Sequence, residues 1–117
     1  MSTPVKEVRK EGEAVVVVAQ GEIDLRHSPE LHKALVEVCS KRPKVLLIHL
    51  GEVAYMDSSG VGTLVEVFRR TNEYGGRMVL VAPTERVRSV FEITKLDRFF
   101  TIMDSEAEAL GDDGGST

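Results

Sequence analysis

The stretch Tyr55-Met56-Asp57-Ser58-Ser59-Gly60-Val61-Gly62 sets two hydroxyls between an acid and a pair of glycines. An apolar run, residues 45–50, precedes it, and a helix-like pattern follows. Aspartate and serine are the usual residues at a helix start, where their oxygens accept hydrogen bonds from N–H groups that have no partner within the helix. Capping alone leaves the glycines unexplained, because each costs up to ~1 kcal/mol relative to alanine in the first turn. Glycine there lets another backbone or a bulky ligand come close. The same helix end carries a partial positive charge and free donors, so it favours a phosphate nearby. The stretch therefore combines an accessible hydroxyl, an approachable backbone and an anion-tolerant end.

Two catalytic readings fit less well. A nucleophile elbow needs Gly-x-Ser-x-Gly, and the residue two before Ser58 is Met56. Its base would have to be His27, His32 or His49; His32 falls on a predicted helix and His49 within a predicted strand. A phosphate-cradling loop needs Lys-Ser or Lys-Thr after its glycines, and none follows Gly60 or Gly62. Cys39 is the only cysteine, which excludes an intrachain disulfide and a cysteine-rich metal site. No catalytic residue, metal or cofactor is expected.

The elements that must hold this stretch follow from the apolar pattern. Residues 5–9 alternate weakly and read as an edge strand, Glu11-Gly12-Glu13 as a turn, and residues 14–19 as a β-branched strand. Gly21-Glu22-Ile23-Asp24 comes after that strand. Ser28 then suits an N-cap and Pro29 a first helical position, with Leu31, Ala34, Leu35 and Val38 on one face. Pro43 stops this helix. Residues 45–50 are apolar without alternation, as in a strand covered on both faces.

A second helix spans about residues 59–74, with Val61, Leu64, Val65 and Phe68 as its buried stripe and Glu66 paired to Arg70 outside. Residues 78–82 form a strand, Thr84 caps a helix with Val87, Val90 and Phe91 inward, and residues 99–103 form a last strand. A final short helix starts near Asp104, where Ser105 and Glu108 have capping-box spacing. The order β-β-α-β-α-β-α-β-α implies parallel crossovers with an antiparallel first pair. The expected fold is α/β: one domain over residues 5–110, a mixed sheet of about four to five strands covered by about four helices. Residues 1–4 and 111–117 are expected to be flexible termini.

Composition bounds the function. The chain has 117 residues, suited to a single domain, and aromatics are 5%, so the core is aliphatic. With 15 basic and 19 acidic residues, net charge is −4, which argues against nucleic-acid binding and a polybasic membrane contact. No apolar run approaches the ~20 residues that span a bilayer, and residues 1–6 lack a signal-peptide core. The expectation is a cytoplasmic protein, monomeric when free.

Met56-Asp57-Ser58-Ser59-Gly60-Val61-Gly62 resembles the phosphorylation motif of the bacterial anti-sigma factor antagonists, the STAS-domain proteins. Gly21-Glu22-Ile23-Asp24 resembles the family's Gly-x-hydrophobic-Asp segment, and Gly76-Arg77-Met78-Val79-Leu80-Val81 its next strand. The resemblance runs over roughly residues 5 to 110 and implies a STAS domain. It implies that the phosphoacceptor is Ser58, directly after the motif acid Asp57, with Ser59 in the neighbouring hydroxyl position. It further implies partners: an anti-sigma factor with serine kinase activity, using ATP and magnesium, and a serine phosphatase that resets the switch. The unphosphorylated form would bind the anti-sigma factor and free the sigma factor, and phosphorylation would end binding. The expected partner surface comprises Asp24, Asp57, Ser58, Ser59, Gly60 and Gly62, with Arg26 and His27 on the same loop as Asp24. The rival readings are a STAS module of another system, such as a stress-signalling scaffold or a lipid-transport component, and a small-ligand or nucleotide-binding domain.

Overall fold

The computed structural model describes the backbone of residues 3–115 and the side chains of residues 3–111. For Met1, Ser2, Ser116 and Thr117, the expectation of flexible ends lies outside the described residues. In chain order the elements are β1 (Val5–Glu11), β2 (Ala14–Ile23), α1 (Ser28–Ser40), β3 (Val45–Met56) and α2 (Ser58–Glu73). There follow β4 (Arg77–Val81), α3 (Glu85–Ile93), a single 3-10 turn (Leu96–Arg98), β5 (Thr101–Met103) and α4 (Glu106–Gly115). The five strands lie in the order β1-β2-β3-β4-β5. β1 runs antiparallel to β2, joined at Gly12, whose φ of +64° glycine adopts without strain. The remaining pairs are parallel.

Three helices cover one face and the fourth covers the other. On the first face, Leu31 and Leu35 of α1, Leu64 and Val67 of α2, and Val87 and Phe91 of α3 pack on Val17, Ala19, Leu46, Ile48 and Leu80. On the second, Ala109 of α4 packs with Val16, Val18, Leu47, Val79 and Val81. The unbroken apolar run of β3 is thus covered on both sides, as a strand without alternation must be. Cys39 is buried in the first layer, and burial pushes its thiol pKa up.

Several boundaries differ from the sequence reading. β2 continues through Gly21-Glu22-Ile23, and β3 through residues 51–56. Their ladder goes on as Gln20↔Glu52, Gly21↔Val53, Glu22↔Tyr55 and Ile23↔Met56, with register shifts between Val18 and Gln20 and between Gly21 and Glu22. Those irregularities break the alternation that would have revealed the extension. β4 pairs with β3 only as far as His49↔Val81, so the β2–β3 ribbon projects beyond its neighbour.

The buried face of α2 is also turned. Val61, Leu64, Val67 and Thr71 are buried, while Val65 and Phe68 flank the core. Thr71 sits inside because its hydroxyl donates to the Phe68 carbonyl (2.8 Å), and Phe68 instead meets Phe100 edge-on at 5.7 Å.

Residues 3 and 4 make contacts beyond the first strand. Thr3 donates its hydroxyl proton to Glu30 (2.5 Å), Gln20 Nε2 donates to the Thr3 carbonyl (2.9 Å), and Pro4 is buried. The Pro4 carbonyl accepts from Gln20 N (2.9 Å), lengthening the hairpin by one rung. At the other end, Ser105 Oγ accepts from Glu108 N (3.0 Å) and starts α4, whose backbone stays helical to Gly115.

Candidate functional site

Parallel pairing of β2 with β3 brings two segments together at the carboxyl ends of the strands, where open α/β sheets place their crevices. Ile23 is opposite Met56, and Asp57 N donates to the Ile23 carbonyl (3.1 Å). The residues after β2 (Asp24, Leu25, Arg26 and His27) therefore lie beside the start of α2.

Each segment is organised by its own carboxylate. Asp57 is the N-cap of α2, with extended backbone (φ −102°, ψ −171°). Its Oδ1 accepts from Ser59 N (2.9 Å), Gly60 N (3.4 Å) and the Ser59 hydroxyl (2.5 Å). The Ser59 hydroxyl above all, with these two N–H groups, holds the Asp57 pKa below the ordinary carboxylate value; partial burial and the charge of Asp24 oppose the shift. Asp24 Oδ1 accepts from Arg26 N (3.0 Å) and His27 N (3.2 Å) and lies 2.8 Å from His27 Nδ1. Burial pulls the Asp24 pKa up, but hydrogen bonds from His27 and the loop backbone outweigh it and the pKa is lowered.

Ser28 does not cap α1. The N-cap residue is His27, which makes no side-chain capping bond. Buried Ser28 is engaged elsewhere: its hydroxyl donates to the Asp24 carbonyl (2.6 Å) and lies 2.5 Å from Ser59 Oγ. Ser28 and Ser59 together carry two hydroxyl protons for three contacts: Ser28 to Asp24, Ser59 to Asp57, and one between themselves. The pair therefore shares its protons around the cluster and ties α1 to α2. Sequence reasoning took Ser28 as a cap because it stands before Pro29; nothing in its spacing from Ser59 signals the bridge.

Within the motif, residues of one type take different roles. Ser58 is exposed, and its hydroxyl makes no hydrogen bond to any described residue, whereas Ser59 is half-buried in the cluster. Gly60 is buried: a Cβ there would lie 2.6 Å from Met56 Cγ, 2.9 Å from Ile23 Cγ2 and 3.1 Å from the Ile23 carbonyl oxygen. The close approach that Gly60 permits is thus made by the protein's own β2 and β3 ends, and this residue does not open the surface to a partner. Gly62 is exposed, with nothing within 4 Å of where its Cβ would be.

Beside the cluster, Leu25, Pro29, His32 and Thr63 join Ser28 and Ser59 around a shallow depression of about 250 Å³. Leu25 is 73% exposed at its edge, an apolar residue the sequence reading did not single out.

The ring nitrogens of the three histidines meet carboxylates or backbone and not the serine hydroxyls. His27 contacts Asp24, and His32 Nε2 contacts Glu66, which also accepts from Arg70 Nε (2.6 Å). His49 accepts from Gly51 N through Nδ1 (3.1 Å) and lies 3.8 Å from Glu106, on the face covered by α4. Among the described residues, no three metal-ligating side chains converge. Nor, among the described residues, is any helix long and apolar enough to cross a membrane.

The STAS domain family model matches residues 5–109. The anti-sigma-B factor antagonist of Listeria monocytogenes is 33% identical over 111 residues, covering 95% of this chain and 96% of that protein. The anti-sigma-B factor antagonist of Bacillus subtilis is 33% identical over 105 residues, covering 90% and 93%. Among solved structures, an anti-sigma factor antagonist from Mycobacterium paratuberculosis superposes with a TM-score of 0.83 at 27% identity, covering 94% of this chain and 96% of that one. The sheet order, the paired segments at its carboxyl edge and these matches along nearly the whole chain place it in one family: the protein belongs to the STAS-domain family, within which these relatives are anti-sigma factor antagonists.

Proposed function

We propose that the protein is an anti-sigma factor antagonist switched at Ser58. Its unphosphorylated form binds an anti-sigma factor that is also a serine kinase and so frees a sigma factor; phosphorylation of Ser58 ends that binding, and a serine phosphatase restores it. The observation that carries this reading is the division between the two serines. Ser58 projects an unbonded hydroxyl from a helix N-terminus, while Ser59 is held by Asp57 and Ser28. A kinase reaches the first without disturbing the fold. The names of the relatives at 33% identity support the same reading.

The switch is local electrostatics. A phosphate adds about −1.5 to −2 charge and three acceptor oxygens. The partial positive charge at the amino end of α2, where Ser58 is exposed, tolerates it, so the fold persists. A partner surface fitted to a neutral hydroxyl does not. Asp57 and Asp24 already hold negative charge beside the position, and their lowered pKa values keep both ionised at neutral pH. Asp24, Asp57, Ser58, Ser59 and Gly62 form the contact surface in this reading, and Gly60 shapes it from beneath.

Intact-mass analysis after mixing with the cognate anti-sigma kinase and magnesium–ATP tests the proposal. One phosphate is expected on the wild type and on Ser59→Ala, and none on Ser58→Ala. Ser58→Asp should melt like wild type yet bind the partner at least about tenfold more weakly. Phosphate transfer to Ser58→Ala, or wild-type affinity in Ser58→Asp, would sink it.

A further inference from the structure

The opposite end of the sheet carries a second, larger concavity. The β1–β2 hairpin overhangs the end of α1 and leaves a cleft of about 750 Å³, a size usual for small-molecule sites. Its floor is aliphatic: Val8, 51% exposed on the edge strand, with Val15, Val38 and Pro43. Its rim is basic. Lys44 is paired with Glu13 at 3.3 Å, but Lys10, Lys41 and Arg42 have no carboxylate partner among the described residues. In a chain of net charge −4, three uncompensated cations around one apolar floor are a concentration of the minority sign.

Arg42 adds an independent sign. It stands two residues past Ser40, the end of α1, directly after the C-cap Lys41, with φ +52° and its N–H donating to the Cys39 carbonyl (2.9 Å). Glycine is the residue that fits this left-handed position without strain, and helices commonly end on it. Here an arginine bears the strain at the mouth of the cleft. Ala82 and Lys95 share this conformation, and of the three only Arg42 lines the cleft.

We propose that this cleft binds a small amphipathic carboxylate, its hydrocarbon body on the aliphatic floor and its carboxylate held by Arg42 and Lys41. The guanidinium fork matches a carboxylate in two parallel hydrogen bonds. The lining contains no aromatic side chain on which a nucleotide base would stack, and no glycine-rich phosphate loop, so the apolar body is a hydrocarbon. The cleft is at the amino ends of the parallel strands and Ser58 at their carboxyl ends, so occupancy does not depend on the state of Ser58.

Titration of the full chain with decanoate below its micellar range, followed by amide chemical shifts, tests this. Saturable shifts are expected within residues 8–15 and 38–44. Decanol, the same body without charge, should bind at least about tenfold more weakly, and so should the double variant Lys41→Glu, Arg42→Glu. Arg42→Gly removes the side chain while easing the backbone, so its weaker binding cannot be blamed on misfolding. Ser58→Asp should leave decanoate affinity unchanged. Equal binding of decanol, undiminished affinity in Arg42→Gly, or shifts centred on α2 would overturn the proposal. Sedimentation with phosphatidylglycerol vesicles without saturable decanoate binding would overturn it in favour of a membrane surface.

Discussion

The first turn of α2 has an outward and an inward half built from the same residue types. Ser58 and Gly62, four apart, share the exposed face. Ser59 and Thr63, also four apart, face α1 and the depression beside Leu25, while Gly60 lies against Ile23 and Met56. Outside, serine and glycine leave a surface with a free hydroxyl and no side chain to cover it. Inside, the same two residue types make a hydrogen-bond bridge and a backbone contact. The difference teaches that the motif is a rigid mount and a bare presenting face at once. Substitutions on the two halves should therefore differ in sign as well as size.

The largest effect on stability is expected from Gly60→Ala. The new methyl would overlap Met56 Cγ and Ile23 Cγ2 and crowd a carbonyl oxygen that cannot turn aside. Overpacking of this kind costs ~1–3 kcal/mol, against which better helix propensity returns up to ~1 kcal/mol. Chemical denaturation should show a net loss of about 1–2 kcal/mol. An unchanged midpoint would mean that the β2 and β3 ends move away freely, and the inward half would then not be a rigid mount.

That contrast marks what the sequence could and could not reveal. Element order, the antiparallel first pair, the Thr84 cap and the Glu66–Arg70 pair were all legible, because each rests on local pattern. Asp57 was legible as a cap and is one. The separate fates of Gly60 and Gly62 were not, because they depend on where the carboxyl ends of β2 and β3 come to lie. Those ends were themselves hidden by bulges and by the polar residues Glu22 and Glu52 within the extended strands. The role of Ser28 was hidden for the same reason: its partner Ser59 is 31 residues away. Phe68 packs at the edge of the core, as its spacing indicates, whereas the fully buried Thr71, satisfied by its own helix, carries no apolar signal.

Asp57→Ala should cost ~1 kcal/mol, the usual value of a lost N-cap. It also removes the acceptor for the Ser59 hydroxyl, leaving that proton to Ser28 alone. Because the cap holds the first turn, this variant should slow phosphorylation of Ser58 as well as lower the melting temperature. Wild-type phosphorylation rates in a measurably destabilised Asp57→Ala would show that presentation of Ser58 does not depend on the cap.

Gly62→Ala should move stability the other way. A Cβ there meets nothing within 4 Å, and alanine favours the helix by ~0.5–1 kcal/mol. A higher denaturation midpoint with weaker anti-sigma factor binding is the expected pair of results. Raised stability with unchanged affinity would remove Gly62 from the contact surface and leave the outward half represented by Ser58 alone.

The smallest effect is expected at acid pH, and it compares the two carboxylates. Asp57 and Asp24 both have folded-state pKa values below their unfolded ones. Each therefore contributes stability that is fully present above the unfolded value, ~3.9, and is lost as pH falls through the lowered folded value. Asp57→Asn and Asp24→Asn should each flatten the fall in stability as pH drops below about 5. The two also oppose each other, since the charge of Asp24 raises the pKa of Asp57. Removing that charge in Asp24→Asn should push the Asp57 pKa lower still, which a carboxyl-carbon NMR titration reads directly. A rise instead would show that the Asp24 loop, through the contacts of Ser28 with the Asp24 carbonyl and Ser59, is what orients the hydrogen bonds around Asp57. The mount would then extend across both segments rather than reside in the first turn of α2.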